Sequence, residues 1–351
     1  MNKKLLLVKQ FFLLLILIYS FNLRAQDVTS TPVAYLEYIG NVNKAIVKDF
    51  LSYESSVAHD KNSKKTEAKR SALLKTSQDA IKKVSALPDY KGDKSLRDSS
   101  KMVLEISYLV LSEDYGKIVN LEEIAEQSYD AMEAFMLAQE MASEKLSKAH
   151  ERFTVVEKDF AKKNNITLIE LKDDLSKKLE LLKKVNNYHK AVYLIFFKSY
   201  KQENYLSEAV EKNDINSIEQ NKNALINTTE DGLKKLNSIS SFDNDAALKQ
   251  STKELLDFYS IEAKDKINDV TSYLIKKEKY EKEKKAFEAM RESERTKQIV
   301  KDVNKSVEEY NKSVAVYNKS IKYLNENRAK LIDKWNKTSE KFFADYTPRY
   351  N

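Results

Sequence analysis

Residues 72–135 recur without a gap 152 positions later, and this repeat limits the fold more than any other feature of the chain. Ala72, Leu73, Thr76, Asp79, Lys82 and Lys83 fall on Ala224, Leu225, Thr228, Asp231, Lys234 and Lys235. At the same offset Asp93, Leu96, Ser99, Lys101 and Leu104 fall on Asp245, Leu248, Ser251, Lys253 and Leu256, and Ala134 with Phe135 on Ala286 with Phe287. A repeat of this length reads as an internal duplication, so one supersecondary unit is expected twice.

The middle of the repeat carries a physical reason for the match. Tyr90, Gly92 and Asp93 face Phe242, Asn244 and Asp245. Each set reads as an apolar anchor, a residue that reaches positive φ cheaply, and a helix cap.

Four glycines, three prolines and 33% charged residues make the repeated unit helical, because sheets and turns consume more of the first two. Apolar residues follow three-four spacing from Leu36 through Ile39, Ile46, Phe50 and Val57, which predicts a helix ending near His59. A second helix is predicted over 63–87, and a third from Asp93 or Ser95 to a break at Gly116. The fourth should start at Asn120, capped with Glu123, and the fifth at Thr167, capped with Glu170 and running to about Lys212. Helices over 214–238 and 245–276 restate the plan, and a last helical region reaches Tyr346.

In that last region Val303, Val307, Tyr310, Val314, Tyr317, Ile321, Leu324, Arg328, Leu331 and Trp335 mark a heptad seam, flanked every seven residues by Asn304, Asn311, Asn318 and Asn325. The expected fold is all-α: an elongated antiparallel helical bundle of two duplicated halves with coiled-coil-like long helices, 26–165 and 166–351.

Residues 1–25 read as a secretory signal peptide: Lys3, Lys4 and Lys9 begin it, 11–21 form its apolar core, and Ala25 supplies the cleavage site. The formal net charge is +7; without Lys3, Lys4, Lys9 and Arg24, 57 basic residues stand against 54 acidic ones, a net +3. The basic balance therefore carries no argument for nucleic acid. Beyond the signal no stretch is long and apolar enough for a transmembrane span. Absence of cysteine removes disulfides, thiolate metal sites, lipid anchoring through a thioether, and Cys nucleophiles.

Candidate chemistry is sparse. His59, His150 and His189 have Asn62, Phe153 and Val192 three residues on, so the His-x-x-Glu spacing of helical metal sites is missing. His189 with Asn186 reads as a polar layer in the seam of its helix. Asp243, Asp245 and Glu254 imitate a calcium loop, but Ala247 and Leu248 stand where an oxygen ligand and a glycine are required. The Asn-Lys-Ser triplets at Asn304, Asn311 and Asn318 match a glycosylation pattern that the heptad explains without glycan. No catalytic residue, cofactor or metal is expected.

Two surfaces remain as candidates. Glu122, Glu126, Asp130, Glu133, Glu140 and Glu144 fall within about an 80° arc of one helix, opposite its apolar residues. Lys117 is the only basic residue between Glu113 and Glu144, so this stripe is either a solvated face or a docking surface for a basic partner or cations. Tyr193, Phe196, Phe197 and Tyr200 form an aromatic run that is either core or an apolar ligand groove.

Segments 91–100 (KGDKSLRDSS), 123–134 (EIAEQSYDAMEA) and 197–203 (FKSYKQE) resemble a family of predicted surface proteins of Gram-negative bacteria. The resemblance implies export and a periplasmic or surface setting, with no activity to carry over. The expected function is thus an exported binding or scaffold module that is not an enzyme, with a partner protein at the cell envelope. The alternative is a periplasmic carrier of a small apolar ligand.

Overall fold

The computed structural model describes residues 28–60, 62–118, 128–169 and 173–350. The expected signal peptide, and Asn120, Glu122, Glu123 and Glu126, lie outside them. The described chain is all-α. Its helices are α1 (Pro32–His59), α2 (Ser63–Ser85), α3 (Ser95–Ile118), α4 (Tyr129–Lys163), α5 (Asp174–Glu211), α6 (Ile215–Ser238), α7 (Ala247–Ile261), α8 (Ile267–Ala289) and α9 (Lys297–Tyr346). A π-helical turn, Glu262–Lys266, joins α7 to α8, and a 3-10 turn, Glu292–Glu294, separates α8 from α9. None of the described helices is long and apolar enough to cross a membrane.

Local chemistry sets most helix starts. Pro32 needs no hydrogen-bonding partner in the first turn of α1, where Thr31 Oγ1 accepts from the Ala34 N–H at 3.0 Å. Asn62, Ser128 and Asp214 cap α2, α4 and α6 in the same way. The fifth helix starts later than expected: Thr167 precedes it in irregular chain, and Asp173 accepts from the Ser176 N–H at 2.9 Å. Gly116 lies within α3, because glycine away from a required positive φ costs a helix only about 1 kcal/mol.

The chain forms two compact units. The first holds the described residues up to Lys190 and those from Glu340 onward. In it α2 packs on α1 and α3, and α3 on α4. One apolar cluster joins Val47, Phe50 and Leu51 of α1 to Leu73 and Val84 of α2, Leu104 of α3 and Leu182 of α5. A second gathers Tyr35, Tyr90, Val103, Val110, Phe153 and Phe160. The Tyr35 hydroxyl donates to the Pro88 carbonyl at 2.9 Å, so this ring fastens the α2–α3 turn to α1.

The second unit, Ala191–Ser339, packs α6 against α7, the π turn and α8. Trp335 is fully buried here, stacked on Phe196 at 3.9 Å between centroids, and its indole N–H donates to Thr252 Oγ1 at 2.8 Å. Along α9 the residues buried every seven positions are Ser306, Ser313 and Ser320, whereas Asn304, Asn311, Asn318 and Asn325 are exposed. The small side chains at the contact are therefore the serines.

Candidate functional site

The turns at Tyr90–Asp93 and Phe242–Asp245 have the same local geometry. In the first, the Tyr90 N–H donates to the Asp93 carbonyl at 3.0 Å and the Asp93 N–H returns a bond to Tyr90 at 2.9 Å. Phe242 and Asp245 make the same pair at 3.1 and 2.7 Å. The two residues between are left-handed in both turns: Lys91 and Gly92 at φ 49° and 83°, Asp243 and Asn244 at 48° and 66°. Each aspartate then accepts from the N–H two residues on, Ser95 at 2.9 Å and Ala247 at 2.7 Å. Arg97 reaches back to the Leu87 carbonyl at 3.1 Å, and Lys249 to the Ile239 carbonyl at 2.6 Å.

Of the acidic stripe, Asp130, Glu133 and Glu144 are exposed on α4, and the side chain of Glu140 is not among those described. Tyr129 donates to Glu133 Oε1 at 3.1 Å, and Lys148 pairs with Glu144 at 2.7 Å. The same helix exposes two large apolar side chains that sequence reasoning did not place there, Leu137 at 57% and Met141 at 63%. At 100° per residue, Asp130, Glu133, Leu137, Met141 and Glu144 share an arc of about 80°. One face of α4 thus exposes acidic and apolar side chains together.

The aromatic run has a different place. Tyr193, Phe196 and Phe197 are buried and Tyr200 is half-buried. Tyr193 stacks on Phe197 at 5.5 Å, Phe196 on Tyr200 at 5.6 Å, and Trp335 covers Phe196. His189 belongs to the first unit, where it lies buried with its ring 4.3 Å from Phe343.

A third cluster emerges only in the structure. Glu203 of α5, Glu262 of the π turn and Arg328 of α9 meet inside the second unit; each carboxylate side chain is 1% exposed and the arginine 20%. Arg328 Nε lies 2.6 Å from Glu203 Oε1, Nη2 donates to Glu262 Oε1 at 2.5 Å, and Nη1 donates to Asn325 Oδ1 at 3.0 Å. Two of the guanidinium nitrogens donate hydrogen bonds and the third faces Glu203 as an ion pair. The Glu203 contact is not aligned as a hydrogen bond, and Oε2 of each glutamate and the Tyr259 hydroxyl have no hydrogen-bonding protein partner.

Burial, then the adjacent Glu262 carboxylate, push the Glu203 carboxyl up to about 8 against the opposing pull of Arg328. Burial raises Glu262 as well, with Arg328 opposing. The Tyr259 phenol is held well above its ordinary value, first by burial and then by the two carboxylates. Among the described residues no three His, Cys, Asp or Glu side chains gather as a metal-binding group. The sequence did hold a signal for this cluster: Arg328 occupies an apolar seam position, where a guanidinium requires buried acids.

Compared with models of known families, with curated proteins and with solved structures, the chain matches none.

Proposed function

We propose that this chain is an exported helical binding module of the periplasm or cell surface, without catalytic activity, built by duplication of one helical unit. The matched turns at Lys91–Gly92 and Asp243–Asn244 support the duplication. The binding role rests on one observation: Leu137 and Met141 are exposed on the same face of α4 as Asp130, Glu133 and Glu144. An apolar strip edged by carboxylates is complementary to a protein segment with lysine or arginine around an apolar face.

Two double variants test this reading, Asp130→Lys with Glu133→Lys, and Leu137→Ala with Met141→Ala. Both should melt like the wild type, since the altered side chains are exposed, yet both should lose retention in the envelope fraction. Retention of the wild type should also weaken as salt is raised, through its ionic component. Unchanged retention in both variants overturns the proposal. Export is tested separately: the recovered chain should begin at Gln26, and an intact Met1 refutes processing.

The carrier alternative would require the Phe196–Trp335 stack to part. An apolar ligand extracted from the purified protein would favour it.

A further inference from the structure

Two carboxylates and one guanidinium lie together in the core of the second unit, and among the described residues no other cation contacts either acid. With both glutamates ionised the cluster carries one net negative charge. Each ion taken out of water costs several kcal/mol unless it is paired and hydrogen-bonded, and a single guanidinium balances only one carboxylate. Glu203 is the less well held of the two, because its contact with Arg328 is not aligned, while Glu262 accepts a formed hydrogen bond from Nη2.

We propose that the Glu203–Arg328–Glu262 cluster is a proton-binding site: the folded chain holds one proton between the two carboxyls, which leaves one carboxylate matched to one guanidinium. Among the described residues the remaining titratable group facing the pair is Tyr259, one turn before Glu262 on the same helical run, with Tyr200 beyond it; burial holds the Tyr259 phenol well above its ordinary value, so it adds no charge in this range.

The position of Glu262 makes the bound proton a structural control. Glu262 opens the π turn, the one described place where the α7–α8 run leaves α-helical pairing, and such turns are tolerated where a side chain has to be re-aimed. Losing the proton would put a second negative charge against that turn. The response is a loosening of the second unit as pH rises, opposite in direction to ordinary acid unfolding.

The sign follows from linkage. The folded-state carboxyl is raised, from an unfolded value near 4.5 to about 8. The stabilisation is therefore complete below pH 4.5 and is lost as pH rises to about 8. Relative to Glu203→Gln, which mimics the protonated carboxyl without titrating, the wild-type folding constant should fall by up to tenfold per pH unit across that window. Glu157, a buried α4 carboxyl raised to about 7, is common to both chains and cancels in the comparison.

The experiment is urea denaturation of the full chain at a series of pH values, wild type against Glu203→Gln and against Glu262→Gln. Converging curves at low pH with a growing gap above it are expected, and parallel curves overturn the proposal. Should neither variant fold, infrared spectroscopy on a Glu157→Gln background decides. A protonated-carboxyl band at neutral pH that fades on alkaline titration supports the site, and its absence refutes it.

Discussion

The stretches 72–118 and 224–270 share a frame and differ in what the frame encloses. Ser77 Oγ donates to the Leu73 carbonyl at 2.8 Å, and Thr229, at the same offset, donates to Leu225 at 2.8 Å. At the far end the resemblance stops. Val110 is buried among Phe153, Leu146 and other apolar side chains, whereas Glu262, 152 positions on, is buried against Arg328. The α3 helix runs through Val110 in regular form, whereas Glu262 begins a π turn. Ser100 has a buried hydroxyl with no hydrogen-bonding protein partner, but Thr252 in its place receives the Trp335 indole. Turn and capping geometry tolerate core replacement because their hydrogen bonds are local, so one frame can hold an apolar interior once and a charged one the second time.

Removing the positive member should break this contrast most severely. Arg328→Met leaves the carboxylate that the guanidinium matches uncompensated in the second unit and should cost about 3–5 kcal/mol in urea denaturation. Giving the second unit the character of the first, by Glu203→Leu, Glu262→Val and Arg328→Met together, should be neutral or stabilising by about 1–4 kcal/mol. A single-variant cost near that of a surface substitution would mean that the cluster is hydrated in solution.

The second effect in size separates the turns. Gly92 stands at φ +83° with no atom within 4 Å of where a Cβ would lie, so substitution there meets backbone strain alone. Gly92→Val should cost about 1–3 kcal/mol and Gly92→Asn less than about 1 kcal/mol. Asn244→Gly should be close to neutral, since asparagine already occupies the left-handed region at φ 66°. Equal costs for Gly92→Val and Gly92→Asn would show that the turn can change conformation.

Much of the frame was legible because its causes are local. Three-four apolar spacing, the helix start at 214 and the paired Gly92 and Asn244 each act within a few residues. What could not be read depended on distant partners. The π turn falls inside a continuous apolar pattern, 245–276, that reads as one helix. Glu203 and Glu262 look like ordinary surface acids until Arg328, more than sixty residues away, is placed between them. Leu137 and Met141 fit an apolar helix pattern equally well whether covered or exposed, and spacing alone does not say which face of α4 has a neighbour.

The smallest expected effect is also the closest test of how the two cores differ. Gly232 is buried in α6 where the first stretch has Ala80, which is buried as well. Alanine in a helix interior is favoured over glycine by about 1 kcal/mol, so Gly232→Ala gains on backbone grounds. Its Cβ, however, would lie 3.3 Å from Ile195 Cγ2 and 3.3 Å from Leu256 Cδ1, tighter than ordinary packing. Overpacking of this kind costs about 1–3 kcal/mol where neighbours cannot move, and less where a side chain can turn aside. The net change should therefore be a loss of no more than about 1 kcal/mol. Ile195→Ala should remove one of the two contacts, and in the double variant Gly232→Ala should become stabilising, giving a favourable coupling in a double-mutant cycle. Additive effects would place the constraint on Leu256, which shares its offset with Leu104, and not on the isoleucine of α5.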